Sequence, residues 1–242
     1  MQTSLSAISG HDFVRTISSH FSKNPVEGLL RSCKDSECDY LELKRTIEIT
    51  QDHCGKGESP EDIYWNIAKS IIAMINSRGG VLLIGVDDKD HSKYGIAELS
   101  ADAKKYIEEN SFQDYCERKI EAHLFPSTLK WQYKGNTYEV SEQIKNYVTA
   151  ETLECGNKAR NVRAYFVRPC ENNNFLTVKT TYTKLNKEGP EILYFRHLGE
   201  EGKCGQLKPI KEILSYIENR SIKDSELSVR LEKILKTDYG IK

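Results

Sequence analysis

The sequence predicts an α+β fold: a mixed β-sheet with flanking helices. Two observations carry this. An alternating segment, a long amphipathic helix and a continuous apolar run follow one another between Leu41 and Val86. Further short β-type runs then follow without the regular strand–helix alternation of a doubly wound fold.

At the start, Phe13, Val14, Ile17 and Phe21 share one helical face, and Pro25-Val26-Glu27-Gly28-Leu29-Leu30 adds a short turn of helix. This N-terminal helical segment, residues 1–36, reads as an amphipathic cap or a contact for a partner. In the next segment Leu41, Leu43, Ile47 and Ile49 alternate with Glu42, Lys44 and Glu48. That period of two defines a half-buried strand and puts Glu42 and Lys44 on the same face. Residues 50–58 read as a loop.

Ser59-Pro60-Glu61-Asp62 is a helix start, with a capping serine, proline at the first helical position and acidic residues in the first turn. An apolar stripe from Ile63 to Ile75 continues it to Asn76, and Gly79-Gly80 ends it. Val81 to Val86 is apolar throughout, the pattern of a strand buried on both faces. It leads into Asp87-Asp88, at the strand C-terminus where open α/β sheets often place sites.

Residues 97–122 read as helical or mixed, and Trp131 to Val140 as a hairpin turning at Lys134-Gly135-Asn136. Residues 142–152 read as a helix. Val162–Val167, Phe175–Thr181 and Ile192–Phe195 are β-type runs, and the tail after Pro209 returns to helix. The chain divides into the segment 1–36, a central domain 37–205 and a C-terminal helical segment 206–242.

The totals narrow the functional classes. The 242 residues hold 35 Lys+Arg and 36 Asp+Glu, a net charge of −1. Bulk basicity is therefore absent, and nucleic-acid binding requires a local patch. No apolar stretch approaches the roughly 18 residues of a membrane span, and the polar N-terminus is not a signal peptide, so a cytoplasmic protein without membrane contact is expected. The seven cysteines are widely spaced, with no C-x-x-C pair. Reduced, mostly buried thiols fit this better than a disulfide framework or a zinc site built from distant cysteines with His123 or His197. His123, beside Leu124 and Phe125, reads as a core-edge residue. The sequence has no P-loop, no dinucleotide fingerprint, no H-E-x-x-H and no nucleophile elbow.

Three carboxylates form the candidate site: Glu37 and Glu42 around the first strand, and Asp88 just past the central one. Hard oxygen donors of this kind suit Mg²⁺ or Mn²⁺. A metal so held activates water and offsets charge on a phosphodiester. Lys44, on the face of Glu42, is placed to neutralise a phosphate. The same Glu/Lys alternation also describes a solvated strand face, and Asp87-Asp88 an ordinary turn.

The motifs narrow this choice. Glu37, four residues, then Glu42-Leu43-Lys44; the helix end Ala73-Met74-Ile75-Asn76-Ser77-Arg78-Gly79-Gly80; the strand end Gly85-Val86-Asp87-Asp88; and Tyr194-Phe195-Arg196-His197-Leu198-Gly199 occur in order. Together they resemble the Schlafen-type AlbA-like domain over residues 37–200. The resemblance implies an AlbA-like Schlafen lobe acting as a metal-dependent endoribonuclease on structured RNA, with tRNA favoured. Glu37, Glu42 and Asp88 would bind Mg²⁺ or Mn²⁺, and Lys44 would assist. It also assigns Asn76 and Gly79-Gly80 to the helix-to-strand turn. A toxin or antiviral role follows from the family. Animal members join two related lobes, so this one-lobed chain is expected to act as a homodimer. Lys44, Arg45, Lys158, Arg160, Arg163, Arg168 and Arg196 are the basic candidates for RNA contact, with Tyr165 and Tyr194 interleaved. The competing readings are a non-catalytic nucleic-acid-binding or regulatory module of the same fold, and an interaction protein working through its terminal helices.

Overall fold

The computed structural model describes residues 9–21, 23–33, 38–45, 59–87, 90, 95, 99–155, 160–171, 174–196, 204–207 and 229. Within them the α+β expectation holds. The helices are α1 (Gly10–His20), α2 (Pro25–Ser32), α3 (Pro60–Asn76), α4 (Ala101–Glu109), α5 (Phe112–Tyr115) and α6 (Ala122–Leu124), with a π-helix, Cys116–Glu121, between the last two. The strands are β1 (Leu41–Lys44), β2 (Gly80–Ile84), β3 (Lys130–Tyr133), β4 (Asn136–Val140), β5 (Val148–Leu153), β6 (Val162–Val167), β7 (Val178–Tyr182), β8 (Lys187–Arg196) and β9 (Cys204–Leu207). They form a mixed four-stranded sheet, β1-β2-β6-β5, and a five-stranded sheet, β3-β4-β7-β8-β9.

Helix α3 joins the two. Its start is as the sequence reads: Ser59 Oγ accepts from the Asp62 N–H, the Asp62 carboxylate accepts from the Ser59 N–H, and Pro60 follows the cap. The other carboxylate oxygen of Asp62 accepts from the Lys134 N–H at 2.8 Å, tying the helix start to the β3–β4 turn. Ile67, Ala68, Ile71, Ile72 and Ile75 are at most 1% exposed. A helix apolar on nearly all sides belongs in an interior, and α3 lies between the two sheets. Trp65 stacks on Tyr138 at 4.4 Å between ring centroids and meets Trp131 and Tyr194, all from the five-stranded sheet.

Strand β2 is buried on both faces, as its apolar run predicts. Leu82 and Ile84 enter the core with α3, whereas Val81 and Leu83 enter a second core with Phe13, Val14, Ile17, Val26 and Leu29 of α1 and α2. The N-terminal helices thus cap the outer face of the four-stranded sheet. The expected chain reversal at Gly79-Gly80 is present. Gly79 has φ +70° and Gly80 φ +155°, and a Cβ on either would come within 2.4 Å of a carbonyl oxygen, of Val167 or Tyr40.

Two local expectations give way. Residues 142–152 are not a helix: Ile144–Tyr147 makes one 3₁₀ turn and β5 follows, paired antiparallel with β6 from Val148↔Val167 to Leu153↔Val162. The β-branched Val148, Thr149 and Thr152 suit a strand, and this non-local pairing overrides a short helical pattern. Among the cysteines, Cys116, Cys155 and Cys170 are buried thiols outside any disulfide, and burial pushes the Cys116 thiol up to about 12. Cys33 and Cys38, however, are joined in a disulfide. The helical reading of the tail after Pro209 falls outside the described residues.

Candidate functional site

Strands β1 and β2 run parallel with Glu42 opposite Leu82 and Lys44 opposite Ile84. Their C-terminal ends therefore lie side by side, and the Gly85 N–H donates to the Lys44 carbonyl at 2.8 Å. Alternation along β1 sends Leu41 and Leu43 into the outer core and Glu42 and Lys44 toward α3. The face is not the solvated one that alternation suggests, because Glu42 is only 5% exposed.

Its charge is met by fixed partners. Lys44 Nζ lies 2.7 Å from Glu42 Oε1, Ser70 Oγ of α3 donates to the same oxygen at 3.3 Å, and Arg196 Nη1 donates to Oε2. Arg196 comes from the end of β8 and is fully buried. Its Nη2 donates to the carbonyls of Cys38 (2.6 Å) and Leu41 (3.2 Å), and its backbone N–H to Ser77 Oγ (2.8 Å). One guanidinium from the five-stranded sheet thus pins a carboxylate and the edge of the four-stranded sheet.

Asn76, beside Ser77 at the end of α3, ties that helix to β8 and the approach to β7 through uncharged groups. Its Nδ2 donates to the carbonyls of Leu176 and Tyr194, both at 2.9 Å, and its Oδ1 accepts from the Leu176 N–H at 2.7 Å. Asn76 therefore holds β8 and the approach to β7, a role beyond the helix-to-strand turn assigned to it from sequence.

Burial raises the Glu42 pKa, but attraction by Arg196 and Lys44 outweighs it and holds the carboxyl below its ordinary 4.5. A carboxyl depressed in the folded state stabilises the fold above its unfolded pKa and loses that contribution as pH falls through its folded pKa. Acid titration of stability below about pH 4.5 is accordingly expected to be steeper in the natural protein than in Glu42→Gln. Equal slopes would show that Glu42 is not the group responsible.

The predicted site residues distribute unevenly. Glu37, Asp88 and Lys158 lie outside the described residues. Asp87, next to Asp88, is 9% exposed and sits 3.7 Å from Arg45 Nε, and its Oδ1 accepts from the Asp90 N–H. Arg45, Arg160 and Arg168 reach the surface and Lys44 does so in part. Arg163 and Arg196, expected to contact RNA, are instead inside. Arg163 is 5% exposed, with Nε bonded to Glu121 Oε1 at 3.0 Å and Nη1 to Thr152 Oγ1 at 3.2 Å. Tyr165 and Tyr194 are also buried, in the core around α3. Both arginines sit at inward positions of strands, where a charge persists only when paired. Sequence reasoning missed Ser70 and the Arg196–Glu42 pair. The available signal was a charged residue continuing the inward alternation of Tyr194.

The donor chemistry of Glu42, a hard-oxygen carboxylate, fits Mg²⁺ or Mn²⁺. A carboxylate offers about four acceptor directions. Three are used here, and one user, Lys44, has a side chain 31% exposed. Among the described residues no three His, Cys, Asp or Glu side chains gather as a metal-binding group. No helix among them is long and apolar enough to cross a membrane.

The two-sheet α+β fold and the motif-bearing β1–α3–β2 unit define an AlbA-like domain class. More particularly, the chain belongs to the Schlafen, AlbA_2 family, whose model matches residues 37–177. No curated protein matches the chain. Among solved structures it is similar to the DIP2311 protein from Corynebacterium diphtheriae, at 16% identity and a TM-score of 0.35. That alignment covers 81% of this chain and 28% of the other.

Proposed function

We propose that the protein is a metal-dependent endoribonuclease that cleaves structured RNA, with tRNA the favoured substrate. The observation that carries this reading is the parallel pairing of β1 with β2. It brings the C-terminal end of β1, where Lys44 lies beside the buried Glu42, next to the C-terminal end of β2, from which the chain continues toward Asp88. In this proposal Glu37, Glu42 and Asp88 hold Mg²⁺ or Mn²⁺, which supplies Lewis acidity for phosphodiester hydrolysis. Arg196 and Ser70 fix the Glu42 carboxylate, so it need not reorganise when substrate binds. Lys44 can turn its exposed end from Glu42 to the scissile phosphate. Lys44, Arg45, Lys158 and Arg160 form the proposed RNA surface, and Arg163 and Arg196 act from inside by ordering it. A homodimer would supply a two-sided groove, and a cytoplasmic toxin or antiviral effector is the proposed setting.

A specific observation favours a second reading. Both oxygens of Glu42 are already engaged by protein cations, as expected of a structural carboxylate in a non-catalytic nucleic-acid-binding module. Incubation of the protein with total tRNA and Mn²⁺ or Mg²⁺ separates the two. Cleavage that requires metal and falls at least about 100-fold in both Glu42→Gln and Asp88→Ala is expected. Such a loss is about 2.7 kcal/mol of transition-state stabilisation. RNA binding without cleavage by the natural chain would overturn the nuclease reading in favour of the binding module.

A further inference from the structure

A pocket of about 390 Å³ is walled by Tyr64, Tyr106, Tyr115 and His123, with Lys119 and Asp102 among its lining residues. The volume is within the usual small-molecule range of about 300–1,000 Å³. His123, expected from its apolar neighbours to sit at a core edge, is exposed and stacks on Tyr64 at 5.1 Å, with the planes 29° apart. Lys119 Nζ lies 5.2 Å from the centre of the Tyr106 ring.

The walls are held in place. Tyr64 Oη donates to the Lys119 carbonyl at 2.9 Å, fastening α3 to the π-helix, and Tyr106 Oη donates to Asp114 Oδ2 at 2.7 Å. Lys119 is carried by the π-helix itself, a rare backbone form frequently found at functional sites. Fixed aromatic rings avoid part of the ordering cost of binding.

The lining selects a ligand class. Aromatic walls accept either a flat ring or a quaternary cation. A cation would meet Lys119, whereas a flat ring joined to a phosphate would be attracted by it; Arg118, its neighbour in sequence, is paired with Asp114 at 2.7 Å and does not line the pocket. Asp102 supplies an acceptor for a ring or exocyclic N–H. A base within a duplex has its faces covered by stacking, so only an unpaired one can use these rings. Tyr64 is six residues from Ser70, the Glu42 partner, or about 9 Å along the same helix.

We propose that this pocket receives one unpaired nucleobase, stacked on its aromatic wall with the attached phosphate at Lys119. As a substrate subsite the pocket rests on the ribonuclease reading, but as a nucleotide site it does not. Titration of the full chain with adenosine 5′-monophosphate, ribose 5-phosphate and choline, followed by the His123 ring and Lys119 amide NMR signals, tests it. The mononucleotide is expected to shift both signals, and the other two compounds neither. His123→Ala and Lys119→Met, both at exposed positions, are each expected to weaken binding about fivefold or more, and His123→Phe to restore it. Choline shifting the signals, or silence with all three compounds, would overturn the proposal. Silence with tRNA cleavage intact would remove this pocket alone. Mononucleotide binding without any cleavage would instead remove the nuclease reading.

Discussion

Arg196→Met is expected to destabilise the protein by about 3–5 kcal/mol, the cost of stripping one partner from a buried ion pair. The substitution keeps much of the side-chain volume but leaves Glu42, 5% exposed, with only Lys44 to oppose its charge. It also removes a donor from the Cys38 and Leu41 carbonyls at the start of β1. The cost is large because Arg196 Nη1 and Glu42 Oε2 lie where water cannot substitute for either. Against a typical total stability of about 5–15 kcal/mol, such a loss leaves a marginal fold. Urea unfolding measures it as a shift in midpoint with unchanged slope. The double variant Glu42→Gln, Arg196→Met is expected to recover most of the loss, since the uncompensated charge goes with the carboxylate. A single-variant loss under about 1 kcal/mol would show that Lys44 and Ser70 satisfy Glu42 without the guanidinium.

Trp65→Ala is expected to cost a similar 3–5 kcal/mol by a different mechanism, the removal of a large side chain from a packed interior. Trp65 is 1% exposed, and its ring contacts Trp131, Tyr138 and Tyr194, which come from three strands of the five-stranded sheet. The vacated volume therefore lies between α3 and the five-stranded sheet. Hydrogen exchange is therefore expected to rise first in β3, β4 and β8, and later in β2 and β6. Trp65→Phe, which keeps an aromatic ring, is expected to lose less. Uniform acceleration across both sheets would show that they unfold as one unit.

Most of the scaffold was legible because it depends on local rules. The Ser59-Pro60-x-Asp62 helix start, the apolar run of β2, the turn at Lys134-Gly135 and the paired glycines after α3 each encode their own conformation. Residues 142–152 were misread because an edge strand with mixed polarity has no clear period, and its pairing with β6 depends on residues up to 19 positions away. The candidate site divided along the same line. Glu42 and Lys44 share a strand face by simple alternation, and their proximity was expected. The burial of that face was not, since it depends on Arg196, 154 residues along the chain.

The sequence by itself determined the family, the order of the main elements and the residue types that could bind a hard cation or a phosphate. These follow from periodicity, turn chemistry and short motifs, all local properties. Tertiary structure alone decided which charges are paired and which face solvent. It buried Arg163 and Arg196 against Glu121 and Glu42, left Arg45 and Arg160 at the surface, and gathered Tyr64, Tyr106 and His123 around one pocket. The reason is physical: whether a charge is buried depends on what packs over it, and in this protein the covering residues come from distant strands and helices.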